Sequence, residues 1–178
     1  MKKLLIVVSL LALTACSTTK LTDADVSNEA VKYTQDFGKV EVTYTDNNWT
    51  EIKSTGTSAV PIRDDAGLEQ AMNIATMRAK RNIVEFINTD LKSGKTVDTI
   101  TDSLAKEVAE DDQKSKQKAA SIATKVSEKI AVEANGILKG VYIADRKVSS
   151  DGRTVAVTVK VDKRSMRTAQ QLRASLSQ

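Results

Sequence analysis

Hydrophobic and polar residues alternate along two stretches of the chain, and the first lies at residues 37–45 (FGKVEVTYT). A period of two is typical of a strand with one face buried. The apolar face consists of Val40, Val42 and Tyr44. Residues 46–48 (DNN) are turn-forming, so we expect residues 49–60 (WTEIKSTGTSAV) to return antiparallel beside the first strand.

The second alternating stretch predicts another hairpin. Residues 137–148 (ILKGVYIADRKV) and 153–161 (RTVAVTVKV) flank Ser149-Ser150-Asp151-Gly152. Asp-Gly between two alternating apolar runs is a strong hairpin signal. The side expected to face the core consists of Val155, Val157, Val159 and Val161.

A helical period separates the two hairpins. Asp64 and Asp65 follow Pro61 and are candidate N-caps for a helix. Its apolar stripe is Leu68, Met72, Ala75, Ala79, Ile83 and Phe86, broadened by Ala71, Val84 and Ile87. The small alanines at 71, 75 and 79 would allow the helix to approach the sheet closely.

Helical spacing continues beyond this helix. One apolar set is Val97, Ile100, Leu104 and Val108, and a second is Ala119, Ile122, Val126, Ile130 and Ala134. Residues 110–118 (EDDQKSKQK) are too polar to be buried, and the pattern leaves open whether residues 97–135 form one helix or two. Gly136 is the expected helix stop. Asp162 should cap a final helix whose inward side chains are Met166, Ala169, Leu172 and Leu176.

These elements predict an α+β fold, with an antiparallel sheet of about four strands from two hairpins and helices packed on one face. No period of 20–50 residues repeats, which disfavours a solenoid. We expect a single domain over residues 36–178. The polar residues 16–35 should be a flexible tether.

The first fifteen residues form a separate unit. Lys2 and Lys3 precede an apolar run from Leu4 to Leu13. As a helix this run rises only about 15–18 Å, short of a hydrocarbon core of about 30 Å. Residues 1–15 are therefore predicted to be a signal peptide rather than a membrane span.

Leu13-Thr14-Ala15-Cys16 resembles the bacterial lipobox. The resemblance implies a thioether-linked diacylglycerol on Cys16, cleavage before it and an acyl chain on the freed amino group. Ser17, which is not Asp, implies by resemblance to sorted lipoproteins an outer-membrane location with the domain facing the periplasm. An ordinary secretory peptide with an incidental cysteine is the alternative.

The net charge of the chain indicates which classes of partner to expect. The chain has 178 residues, with 27 Lys and Arg against 23 Asp and Glu. Lys2 and Lys3 are two of the positives, so residues 16–178 carry +2. This near-neutral balance and an aromatic content of 3% do not match a nucleic-acid-binding protein, so no nucleic-acid partner is expected.

Composition also excludes several kinds of catalytic site. The chain has no histidine and one cysteine, which rules out Ser-His and Cys-His nucleophilic sites, a Cys-rich zinc site and an internal disulfide. A Ser-Lys or carboxylate pair stays open, but Asp64-Asp65 and Asp111-Asp112 are better explained by capping and solvation. Gly94-Lys95-Thr96 lacks the earlier glycine of a phosphate loop, because Thr89 occupies that position. We predict no catalytic residue, cofactor or metal, and a protein that is not an enzyme.

Two helices carry candidate binding residues. Asn73 and Arg81 have the order of the peptidoglycan-binding helix of the outer-membrane-protein A family, although the Leu-Ser of that motif is missing. Core packing explains the same helix without a ligand. In the last helix a basic set could contact anionic headgroups or an acidic partner, or could be a solvated face. Its members are Lys163, Arg164, Arg167 and Arg173.

Trp49, Gly56, an alanine-spaced helix with an apolar tail and a late Asp-Gly hairpin together resemble the Lpp-twenty type of small outer-membrane lipoprotein, whose relatives include flagellar basal-body lipoproteins. The resemblance covers residues 48–162, and the polar helical insert at 95–135 departs from the shortest members. It implies a non-enzymatic subunit of an envelope assembly, acting through other envelope proteins or self-association. The alternative is a periplasmic binding module for peptidoglycan or a small envelope ligand.

Overall fold

The computed structural model describes residues 32–45, 48–107 and 113–177. The strands are β1 Tyr33–Asp36, β2 Val40–Thr45, β3 Asn48–Ala59, β4 Tyr142–Val148 and β5 Thr154–Asp162. The helices are α1 Asp65–Glu85, α2 Lys95–Glu107, α3 Gln113–Gly140 and α4 Lys163–Leu176, and a π-helical turn, Phe86–Asp90, follows α1. The segment predicted as a signal peptide lies outside the described residues.

The strands form one antiparallel sheet in the order β1-β2-β3-β5-β4. This confirms the α+β class and both hairpins, but the sheet has five strands rather than about four. The additional strand, β1, begins inside the segment predicted to be a tether up to residue 35. Its sequence, YTQD, has no apolar alternation, and it is positioned by pairing with β2 and by the stacking of Tyr33 on Tyr44, with ring centroids 5.5 Å apart.

The two faces of the sheet differ as the alternation predicts. Core-facing side chains with no more than 2% exposure are Val40, Val42, Tyr44, Trp49, Ile52, Val155, Val157, Val159 and Val161. The opposite face carries polar cross-strand contacts, such as Thr55 with Thr158 and Lys160 with Glu51. Helices α1 and α3 both contact the apolar face of β3 and β5, so the helices cover one side of the sheet.

Helix α1 approaches the sheet closely, as its alanines predicted. Asp64 is the N-cap and accepts a hydrogen bond from the Gly67 amide at 2.7 Å. The helix buries Ala71, Ala75 and Ala79 completely, and a side chain at Gly56 would overlap the Ala75 carbonyl oxygen. Val84 was expected to broaden the stripe, but it is 37% exposed. It lies about 100° around the helix from Ile83, which puts it on the solvent side.

Residues 97–107 lie in α2 and residues 113–135 lie in α3, so this part of the chain contains two helices rather than one. Helices α2 and α3 pack against each other, and the predicted core position Val108 lies outside the described residues. Gly136 does not end α3, which continues through a buried Ile137 to Gly140. The glycine provides space instead: a side chain there would meet the Met166 Cε at 2.6 Å. The close approach of the α4 main chain is at Gly140, where a Cβ would lie 2.9 Å from the Met166 Cα.

Helix α4 starts as predicted and then leaves the core. Asp162 forms a capping box with Ser165, and Met166 is buried. Ala169 is half-buried, but Leu172 and Leu176 are 59% and 86% exposed, so their predicted inward position is wrong. The helix packs on α3 and β5 through its first turns, and its second half extends beyond them. None of the described helices has the length and apolar character needed to cross a membrane.

Candidate ligand groove

A groove of about 470 Å³ lies where α1 runs beside the open side of β3. We call it the β3–α1 groove. Its floor is the strand edge, its wall is the second half of α1, and the turn between β1 and β2 closes one end. The lining residues are Lys39, Thr55, Gly56, Thr57, Arg78, Arg81, Asn82 and Glu85.

The groove exists because β2 is shorter than β3. Strand β2 has six residues and β3 has twelve, and their pairing stops at Val40 opposite Ser54. Beyond that point β3 pairs with β5 as far as Ala59 opposite Thr154. Within the described part of the chain, residues 55–59 therefore have a strand neighbour on one side only.

The main chain of this segment directs polar groups into the groove. The Thr57 carbonyl accepts a hydrogen bond from Arg78 Nη1 at 2.6 Å on the open side. The Val60 amide donates to the Arg153 carbonyl at 2.8 Å on the β5 side. Because successive residues of a strand direct their main-chain groups to opposite edges, the amides and carbonyls of Thr55, Thr57 and Ala59 point to the open edge, and Thr55 and Thr57 line the groove.

Helix α1 places charged and polar side chains above this edge. Arg81 Nε contacts Glu85 Oε1 at 2.7 Å, and the Arg81 side chain is 78% exposed. Asn82 Nδ2 donates to Ser54 Oγ at 3.2 Å, and Ser54 Oγ donates to the Lys39 carbonyl at 2.8 Å. These two hydrogen bonds join the helix, the strand and the end turn.

The lining carries three cationic side chains and one carboxylate. Lys39, Arg78 and Arg81 outweigh Glu85, so the groove has a net charge of +2. An exposed i, i+4 pair such as Arg81–Glu85 contributes only about 0.3–0.5 kcal/mol, so Arg81 is available to another carboxylate or phosphate. The groove is therefore suited to an anionic ligand whose own backbone can form hydrogen bonds with the edge of β3.

The structure separates the two residues predicted as a ligand pair. Arg81 lines the groove, whereas Asn73 is exposed and does not. Eight helical residues correspond to about 80° of rotation and about 12 Å of rise, which puts Asn73 off this wall. The amide beside Arg81 is Asn82. Lys39 and Arg78 were missed because no sequence period links the β1–β2 turn to α1.

The four basic residues of α4 also lie in different environments. Lys163 forms an ion pair with Glu133 and lies 4.0 Å from the Trp49 ring centre, and Trp49 Nε1 donates to the same carboxylate at 2.9 Å. Lys163 is thus a link between α4, α3 and β3 rather than an open contact. Arg164 lines a second groove of about 520 Å³ beside Leu172. Arg167 and Arg173 are exposed on α4.

The remaining candidates have structural roles or lie elsewhere. Gly94 has a φ of +76° and forms the turn before α2, and Thr96 is buried in that helix, as expected for a connection between helices. The described residues contain no group of three or more His, Cys, Asp or Glu that could hold a metal ion. Leu13, Thr14, Ala15 and Cys16 lie outside them, as do Asp111 and Asp112.

Comparison of the chain with protein-family models, with curated proteins and with solved structures found no match.

Proposed function

We propose that the chain is a lipid-anchored outer-membrane lipoprotein whose domain faces the periplasm and has a non-enzymatic role in an envelope assembly, such as a flagellar one. The observation that carries the proposal is Cys16, which directly follows Leu13-Thr14-Ala15 and the basic and apolar run before them. A thiol at that position is the acceptor that lipoprotein processing requires.

The anchor would hold the domain close to the membrane. Each buried methylene contributes about 0.8 kcal/mol, and two or more acyl chains make anchoring stable. Residues 17–32 separate Cys16 from β1, and a fully extended segment of that length spans at most about 55 Å. The domain therefore acts on partners near the membrane surface.

Open sheet edges support a role in protein contacts. All seven residues of β4 are exposed, among them the large apolar side chains of Tyr142, Ile143 and Val148. Exposed large apolar side chains grouped on one strand mark a surface for protein contacts. Together with the β3–α1 groove, this gives the domain two surfaces for partners.

The anchor is tested by labelling with palmitate in a bacterium that processes lipoproteins. We expect Cys16→Ser to lose the label and to accumulate uncleaved or outside the membrane fraction. Thr19→Ser, three residues away, is the matched control and should label like the parent. Equal labelling of Cys16→Ser would refute the anchor.

The assembly role is tested by crosslinking the chain in cells and identifying the products by mass spectrometry. We expect discrete adducts with envelope proteins or with further copies of the chain. A photoreactive residue at Ile143, on the exposed β4 edge, should give more product than one at Asp65, at the start of α1. A chain that stays strictly monomeric and free of partners would contradict the assembly role.

A second candidate function is favoured by the presence of Arg81 in the basic groove. It is the binding of peptidoglycan or a small envelope ligand through a carboxylate. Purified sacculi should retain the chain, and Arg81→Ala should reduce retention. Lys80→Ala removes the same charge from the next position of α1, outside the groove, and should not. Equal retention of both variants would exclude Arg81 as the contact.

A further inference from the structure

We propose that the β3–α1 groove binds an extended acidic segment of a partner protein by adding it as a strand to the open edge of β3. The inference rests on the proposed contact role and specifies its chemistry. It does not depend on the lipid anchor.

The first argument compares strand β4, at one edge of the sheet, with the open segment of β3 at residues 55–59. Strand β4 is protected against pairing, because it has an irregular register between Ile143 and Asp145 and a run of charged residues, Asp145, Arg146 and Lys147. Bulges and charges are the usual means by which edge strands avoid unwanted partners. Residues 55–59 of β3 (TGTSA) carry no charge, no proline and a regular register with β5. This edge therefore lacks the protections of β4, and Arg78 covers its Thr57 carbonyl.

The second argument is the length of the open edge. Residues 55–59 direct the main-chain groups of Thr55, Thr57 and Ala59 to the open edge, and Thr55 and Thr57 line the groove. At about 3.3 Å per residue, five residues extend about 16 Å, enough for a partner segment of five or six residues. Main-chain pairing of this kind supplies affinity, and alternate side chains supply specificity.

The third argument is the difference between the two sides of the added strand. Side chains on its inner side would lie beneath Arg78 and Arg81 of α1. Side chains on its outer side would lie beside Thr55 and Thr57, where β-branched neighbours pair well. The segment that fits alternates an acidic residue with a β-branched one.

The cations can reach such a ligand without unfolding the helix. Arg78 now covers the Thr57 carbonyl, and Arg81 contacts Glu85 at the surface. In the complex both guanidinium groups transfer to carboxylates of the added strand, where bidentate contacts are available. Lys39 lies at the end of the groove and adds a third positive charge.

The binding experiment uses the full chain in a mild detergent and a fluorescein-labelled peptide, TETETE-amide, followed by fluorescence anisotropy. We expect saturable binding that weakens as salt is added. The peptide TKTKTK-amide, with the same alternation and the opposite charge, should not bind. Absence of TETETE binding at millimolar protein would overturn the proposal.

Charge-reversal variants locate the site. Arg81→Glu should weaken binding about tenfold or more, whereas Lys80→Glu, the matched control on the same helix, should change it less than about twofold. Arg81→Gln provides a milder variant, with an expected loss of several-fold, and circular dichroism verifies that each variant is folded. Equal affinities of the Arg81→Glu and Lys80→Glu variants would overturn the assignment of the groove.

Strand addition is separated from simple charge attraction by two N-methylated peptides. One is methylated at the three Thr amides and the other at the three Glu amides, so their charges are identical. Only one set of amides faces β3 in an added strand, so we expect the two affinities to differ by about tenfold. Equal affinities would overturn strand addition. Retention of the chain by sacculi without binding of TETETE would overturn strand addition and favour the second candidate function, and palmitate labelling tests the anchor independently.

Discussion

Gly56 determines how closely α1 lies on the sheet. A Cβ at this position would be 2.6 Å from the Ala79 amide nitrogen and would overlap the Ala75 carbonyl oxygen. Both are main-chain atoms of α1, so neither can move without the helix. Because α1 lies this close to β3, its second half forms the wall of the β3–α1 groove.

We expect Gly56→Ala to destabilise the fold by about 3 kcal/mol, the upper end of the range for overpacking a core. The measurement is the midpoint of unfolding in urea. Gly136→Ala is the matched control, because there the new methyl group meets the flexible end of Met166 and helix propensity improves. Its stability should stay within about 1 kcal/mol of the parent. Equal losses in the two variants would contradict this account.

Asp151 organises the turn of the β4–β5 hairpin. The hydroxyl of Ser149 donates to its carboxylate at 2.6 Å and the Arg153 amide donates at 3.0 Å. These hydrogen bonds, that of Ser149 first, lower the pKa of Asp151 below the ordinary value of 3.8. A lowered pKa means that the carboxylate stabilises the turn fully above the unfolded-state pKa, and that this contribution disappears as the pH falls through the folded-state pKa.

We expect the Arg153 amide resonance to titrate with an apparent pKa below 3.8 when followed by NMR from pH 6 downward. In Asp151→Asn the titration should vanish, while Gly152, with its φ of +67°, keeps the turn. A titration at or above the ordinary aspartate value would contradict the hydrogen-bonding role.

At the scale of elements, α4 shows how an amphipathic pattern can overstate burial. Its four apolar positions have the helical spacing of a core stripe, but only Met166 is buried. Its side chain packs against Gly136 and Gly140 of α3. Leu172 instead lines the second groove beside Tyr142 and Arg164. The spacing identifies one face of the helix, but it does not indicate how far along that face α3 and β5 extend.

We expect Met166→Ala to lower the free energy of unfolding by about 2–4 kcal/mol, because it leaves a cavity at the α3–α4 contact. Leu172→Ala, the matched control on the same helix, should lower it by less than about 1 kcal/mol. Urea denaturation measures both. A larger loss for Leu172→Ala would show that the second half of α4 is packed in solution.

Across the whole molecule, the four described helices and the strands β2, β3 and β5 contribute buried residues to one hydrophobic core. The core cluster includes Trp49 from β3, Ile83 from α1, Ile100 from α2 and Val126 from α3. Trp49 is fully buried and is bound through Glu133 and Lys163 to α3 and α4. Loss of either the sheet or the helices would expose the same residues.

We therefore expect a single cooperative transition. Unfolding followed by the fluorescence of Trp49, the one tryptophan of the chain, should coincide with unfolding followed by far-ultraviolet circular dichroism. A loss of helical signal before the change in tryptophan fluorescence would show that α2 and the first half of α3 unfold separately.

Elements whose signals are local can be predicted from the amino-acid sequence alone. Periodicity predicts which face of an element is buried, and capping residues predict where a helix begins. These signals predicted the two hairpins, the caps at Asp64 and Asp162, the valine face of β5 and the alanine contact of α1. The lipobox at Cys16 is likewise a sequence feature, and it stays a prediction. Three features follow only from the packing of separate elements: the fifth strand β1, the exposure of Leu172 and Leu176, and the groove at Thr57. Each depends on where a neighbouring element ends, and periodicity within one segment carries no information about the length of its neighbour.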